Sequence, residues 1–203
     1  MVVEKKYKFS FTAASLRTKD LVTVALRKSS KNSDDLELVL GNGKSATGKR
    51  LLLELNNWIG TLTKHQINVL QNGSFKSQNE IAFLAVCKYF DFIRDFVIEV
   101  IREKYMVFDY ELTDGDYLSF FRRKTEFHPE MESLTEITQK KIKQVTFKML
   151  EQAGIINNVK SRIIQPQLLE SDTLKVIIED NPELLKVFLY SDIDIQRLQE
   201  AYE

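Results

Sequence analysis

Residues 41–50 read GNGKSATGKR, and Gly43–Lys49 fits the first seven positions of a phosphate-cradling loop, G-x-x-x-x-G-K. In such a loop the lysine reaches the terminal phosphates and a following Ser or Thr hydroxyl ligates magnesium. That following position is Arg50, which cannot ligate a cation. The flanking chain also reads as helices, not as the βαβ units that would supply a second, carboxylate-bearing strand. No nucleotide site is expected. What remains is Lys44, Lys49 and Arg50 with the small polar residues Ser45 and Thr47, all at a helix start. Cations there oppose the helix macrodipole, so stability alone would favour acids. They make sense if an anion visits the free backbone N–H groups. Without nucleotide machinery, the expected anion is the backbone of a nucleic acid.

Other catalytic or metal-binding patterns are weaker. The acid-rich FDYELTDGDY carries Asp109, Glu111, Asp114 and Asp116, but its register fails that of a calcium loop: Thr113 stands at the third ligand position and Gly115 comes one place late. These acids fit a helix N-terminus better. His65 and His128 lie in separate segments without metal-ligand spacing and read as surface or capping residues. No nucleophile elbow or supported Cys/His pair is present. The expectation is a protein with no enzymatic activity, no small-molecule substrate, no cofactor and no metal.

The 203 residues suffice for one sizeable domain or two small ones. With 43% hydrophobic and 29% charged residues, the make-up is that of a folded chain. Three prolines and seven glycines leave long stretches between breakers, which favours helices. The single cysteine, Cys87, excludes an internal disulfide and sits in the apolar run IAFLAVCKYF, where a buried thiol in a reducing, cytoplasmic setting is expected. The start, MVVEKKYKFSF, reads as neither signal peptide nor anchor. The most apolar stretch, 81–108, is interrupted by charges such as Lys88, Asp91, Arg94 and Glu99, so no membrane span is expected. Net charge is zero but unevenly spread. Residues 164–203 hold nine acids and three bases, and the rest hold 26 bases and 20 acids. A basic body can bind a polyanion despite overall neutrality.

The elements that must position these residues are mostly helical. A helix is expected from about Thr12 to Arg27, a second after a cap at Ser33, and a third through KRLLLELNNWI to Gly60. Thr63 and Thr113 suit helix caps, and 78–105 is the most strongly helical segment. SLTE, Ser133 to Glu136, reads as a capping box for a helix running to Ala153, closed by Gly154 in the left-handed region. IINNVKSRII then suggests two short β segments around Asn157-Asn158, and Asn181-Pro182 starts one of two short helices in the acidic tail.

At 100° per residue, Ile142, Val145, Met149, Leu150 and Ala153 gather on one side of the 135–153 helix. Lys140, Lys141, Gln144 and Lys148 form an outer stripe. With Lys160 and Arg162 on a following hairpin, the layout suits a winged helix-turn-helix unit over 133–166, in which the helix meets a DNA groove and the wing meets phosphate. An ordinary solvated helix face fits the same pattern. Arg122, Arg123 and Lys124 of FRRK would extend the basic surface.

The chain resembles the BrxA family, small proteins of bacterial BREX phage-defence loci. The resemblance lies in YKFSFTAASL, SATGKRLLLEL, FIRDFVIEVIREKY, the long run from YELTDGDYLSFFRRK to KMLEQAGII, and RIIQPQLL. The chain departs from the family pattern in a short 28–45 connection and in Gly48, where a better helix former is expected. The resemblance implies an all-α, mostly helical fold similar in part to the antitermination factor NusB, with double-stranded DNA binding and no catalysis. Two units are expected: an N-terminal helical, DNA-binding-like lobe over 1–72, and a lobe over 73–203 holding the winged unit and acidic tail. Alternatives are a protein-interaction scaffold for other BREX proteins and, by fold analogy alone, RNA binding.

Overall fold

The computed structural model describes residues 6–13, 15–29 and 36–202. Among these the architecture is all-α. A 3-10 turn at Ser10–Ala13 precedes α1 (Thr18–Ser29), α2 (Leu36–Leu40), α3 (Ser45–Ile59), α4 (Lys64–Asn72) and α5 (Phe75–Tyr89). Then come α6 (Asp91–Phe96), a π-helical turn (Val97–Arg102), α7 (Glu103–Met106), α8 (Asp114–Thr125) and α9 (Glu136–Gln152). α10 (Ser171–Ile178), a 3-10 segment (Pro182–Phe188) and α11 (Asp192–Tyr202) close the chain.

α5 is the hub because its sequence is apolar all round, and such a helix is stable only when neighbours cover every side. Ile81 through Cys87 are wholly buried, and α1, α3, α4, α10 and the Pro182–Phe188 segment pack against the helix. A second focus is aromatic. Phe92 and Phe96 meet Phe120 at 5.4 and 5.1 Å between ring centroids, and Phe96 meets Tyr117 and Phe147 at 5.4 and 6.2 Å, mostly edge to face. These rings seat α8 and α9 on the middle of the chain. Edge-to-face pairs add to burial by matching ring edge to ring face.

Local signals for helix ends hold in several places. Thr63 and Thr113 close reciprocal capping boxes with Gln66 and Asp116, and Gly154 adopts φ +77° after α9. Others need correction. The expected Thr12–Arg27 helix starts only at Thr18, because Arg17 sits at φ +47° and breaks the helical path. The SLTE box does not form: Ser133 donates to Glu130 O at 3.0 Å, and Thr135 caps α9 by accepting from Thr138 N at 3.2 Å. The helical 78–105 segment is interrupted at Phe90, which is extended (φ −109°, ψ 93°) and fully buried. The expected cap at Ser33 lies outside the described residues.

The expected hairpin wing is not a pair of strands. Ile156 and Ile164 form one antiparallel bridge, and Ile163 forms another with Glu111. The loop between is held by side chains: Asn158 Oδ1 accepts from Lys160 N and Ser161 N, both at 2.9 Å, and Asn157 Oδ1 accepts from Ile163 N at 2.9 Å. These side chains supplement a few backbone bonds, Asn157 N to Ile163 O and Arg162 N to Asn158 O at 3.0 Å and Gln165 N to Ile155 O at 2.9 Å.

The acidic C-terminal segment is fastened to the body by ion pairs. Asp180 takes Lys88 at 2.8 Å, Glu170 takes Lys76 at 3.1 Å, and Asp192 takes the buried Arg102 at 3.1 Å. Arg102 also donates to Tyr190 O at 2.8 Å. Among the described residues no helix is long and apolar enough to cross a membrane.

Candidate nucleic-acid interface

α9 has the two faces its periodicity predicts. Ile142, Val145, Met149 and Leu150 are buried, while Lys140, Lys141, Gln144 and Lys148 are exposed. The 157–163 loop folds back beside the outer face, so that Lys140, Lys143, Gln144 and Lys148 line one open groove with Val159 and Arg162, about 380 Å³ in volume. Phe147 forms its floor, and the Arg162 guanidinium lies 4.3 Å above that ring. Lys160 stands exposed on the same loop.

The charges in this groove are partly matched. Asp114, the first residue of α8, pairs with Lys143 at 2.9 Å and with Arg162. Hydrogen bonds from Lys143 and Arg162 hold its carboxyl below the usual aspartate range. Lys148 pairs with Glu151, and Lys141 donates to Gln144 at 3.4 Å. Among the described residues neither Lys140 nor Lys160 has an acidic partner. Lys143 was missed in the sequence stripe. Its position three residues after Lys140 and four before Phe147 puts it on the groove's flank.

The GNGKSATGKR segment is a helix–loop–helix joint. α2 precedes it, with Asn42 at φ +48° and Gly43 at φ +82° making the turn. Gly48 is buried against α2: a Cβ there would sit 1.7 Å from Glu37 O. The second glycine of the apparent nucleotide motif thus lets two helices touch at the backbone. This explains why a poor helix former stands inside α3. Lys44, Ser45, Thr47, Lys49 and Arg50 are all exposed. Glu37 already lies at this helix start, 3.9 Å from Lys49 Nζ and accepting from Ser45 Oγ at 3.5 Å. Thr47 and Arg50 line a separate groove of about 460 Å³ with Ser10, Arg17 and Glu54. It shares no lining residue with the α9 groove. Arg17, paired with Asp20, also stands on that wall and was not foreseen.

The FRRK bases are mostly committed elsewhere. Arg123 pairs with Glu99 at 2.8 Å, and Lys124 with Glu99 and Asp95 at 2.6 and 3.2 Å. Arg122 is exposed and, among the described residues, has no such partner. His65 is a surface residue, 2.9 Å from Glu179. His128 corrects the surface reading: it is buried, stacked on Tyr7 at 3.6 Å and bonded to Glu130 at 3.1 Å. Cys87 is fully buried, and desolvation pushes its thiol far up, which makes it chemically inert. Among the described residues no three His, Cys, Asp or Glu side chains cluster as metal ligands would.

A family model described as BrxA matches residues 5–181. A "BREX protein BrxA" of Bacillus cereus (strain H3081.97) is 25% identical over 185 residues, covering 87% of this chain and 92% of the relative. Another of the same name, from Escherichia coli O9:H4 (strain HS), is 23% identical over 131 residues, covering 64% of this chain and 62% of its own. The crystal structure of an uncharacterized protein from Magnetospirillum magneticum shares the fold, with a TM-score of 0.77 at 16% identity over 91% of this chain and 98% of that one. The chain belongs to the BrxA family.

Proposed function

We propose that this BREX component is a non-enzymatic, double-stranded-DNA-binding protein that grips mainly the phosphate backbone. The observation that carries the reading is the α9 groove, where a helix face and a loop bring four bases, Lys140, Lys143, Lys148 and Arg162, around Gln144, with Lys160 exposed on the same loop. A helix followed by a basic loop is the layout in which one element enters a groove and the other meets phosphate. Lysine-rich contacts of this kind position a duplex more than they read its sequence, so weak sequence preference and steep salt dependence are expected. The exposed Lys44, Ser45, Thr47, Lys49 and Arg50 offer a second phosphate contact, weakened by Glu37 at the same helix start.

The test is duplex binding by fluorescence anisotropy over a salt series, for wild type and the Lys140→Ala/Lys148→Ala/Lys160→Ala variant. Each lost phosphate contact removes about 0.9 from the slope of log affinity against log salt, so the variant's slope is expected to be shallower by roughly 2–3. Unchanged affinity and slope would remove the α9 groove from the site. Competition between duplex DNA and structured RNA separates the DNA reading from RNA binding.

A further inference from the structure

Two strongly exposed apolar side chains, adjacent in sequence, follow α7. Val107 and Phe108 are 70% and 80% exposed, with Tyr110 at 39% and Ile163 at 36% beside them. Phe108 has φ +63° at the end of the helix, with Asp109 N donating to Lys104 O at 2.9 Å across the turn. Glycine or asparagine normally fills that left-handed position. The Phe108 ring meets that of Tyr110 edge to face at 6.4 Å, and the side chain is otherwise largely open to solvent. Neither backbone conformation nor internal packing accounts for a phenylalanine here, and a residue held in a disfavoured conformation points to a role outside the fold. Two exposed acids stand nearby in the chain: Asp109, paired to Lys104, and Glu111, which has no ion pair among the described residues.

The complementary shape and charge lie on the same molecule. The α9 groove is lined by Val159 and by Phe147 beneath the Arg162 guanidinium, with Lys140, Lys143 and Lys148 around them. The groove is open, about 380 Å³ in volume, and an incoming ring would stack on the Arg162 guanidinium that covers Phe147. Knob and socket adjoin through the chain itself. Ile164 N donates to Tyr110 O at 2.8 Å and Leu112 N to Arg162 O at 3.1 Å, so the 157–163 loop borders both. Adjacent complementary features are what a two-fold axis needs, because each copy can then offer its knob and receive the other's.

We propose that this surface docks a second copy of the chain, with Phe108 of each protomer seated in the partner's α9 socket and its Asp109 and Glu111 facing the basic rim. The contact is independent of the DNA reading. If both hold, duplex and second copy compete for one groove.

Sedimentation equilibrium of the full chain, from micromolar to submillimolar concentration at low and high salt, tests this. A monomer–dimer equilibrium that salt weakens is expected. Phe108→Gly removes the ring while relieving the left-handed backbone. It should weaken dimerisation by about tenfold or more with the monomer at least as stable, so lost folding cannot mimic the result. Glu111→Lys should weaken the dimer, and Lys140→Glu added to it should restore it. A chain that stays monomeric throughout, or a dimer indifferent to Phe108→Gly, overturns the proposal. So does a monomer that binds a co-expressed BREX subunit through Phe108, which would assign the surface to a different protein.

Discussion

Replacing Gly48 with alanine sets helix propensity against packing, and the two have opposite signs. Inside an exposed helix, alanine gains about 1 kcal/mol over glycine. At Gly48 the added Cβ would lie 1.7 Å from Glu37 O, 2.5 Å from its carbonyl carbon and 2.9 Å from its Cα. All three are backbone atoms of α2, so no rotamer change relieves the overlap. Reaching an ordinary contact of 3.4 Å requires α2 to withdraw from α3 by 1.7 Å. Overpacking in well-fitted sites costs about 1–3 kcal/mol, and a backbone obstacle belongs at the upper end. The expected net is a destabilisation of about 1–2 kcal/mol after the propensity gain. Gly115→Ala in α8 is the control: its Cβ meets nothing nearer than Thr113 Oγ1 at 3.5 Å, so it should be neutral or stabilise by up to about 1 kcal/mol. Urea unfolding of both variants reads the difference as opposite shifts of the midpoint at constant slope. A Gly48→Ala protein as stable as wild type would refute the close α2–α3 crossing, and with it the account of this glycine.

Asp114→Asn removes the carboxylate that holds Lys143 and Arg162, so duplex affinity at low salt should rise and its salt dependence steepen; a fall in affinity would mean the ion pair positions those bases for DNA. The same residue predicts an acid limb in stability. Its carboxyl lies below the ordinary 3.8 when folded, so its contribution is complete above that value and is lost as pH falls through the folded value. Thermal melts on acidification should therefore fall less steeply for Asp114→Asn than for wild type. Cys87, buried in α5 with its thiol pushed up by desolvation, should resist iodoacetamide in the native protein and react once denaturant is added; rapid native alkylation would contradict its burial.

Much of the local architecture was legible from the chain alone. Helix starts at Thr63 and Thr113, the left-handed Gly154 and the two faces of α9 depend on residues three or four apart, and that is the range over which helical geometry acts. The helical flanks of GNGKSATGKR were legible too, and α2 and α3 stand on either side of it. The fate of individual charges was not legible. Glu99 and Asp95 draw Lys124 and Arg123 out of the expected basic surface, and Asp114 reaches Arg162, all across separations in sequence that no periodicity encodes. The same holds for Gly48 against Glu37, for His128 beneath Tyr7, and for the loop that asparagine side chains and a few backbone bonds bring back to α9. Patterns within one element determine which faces are apolar or basic. Only the packing of elements decides which bases remain free to meet an outside anion, since each pair forms between side chains that the folded core first brings together.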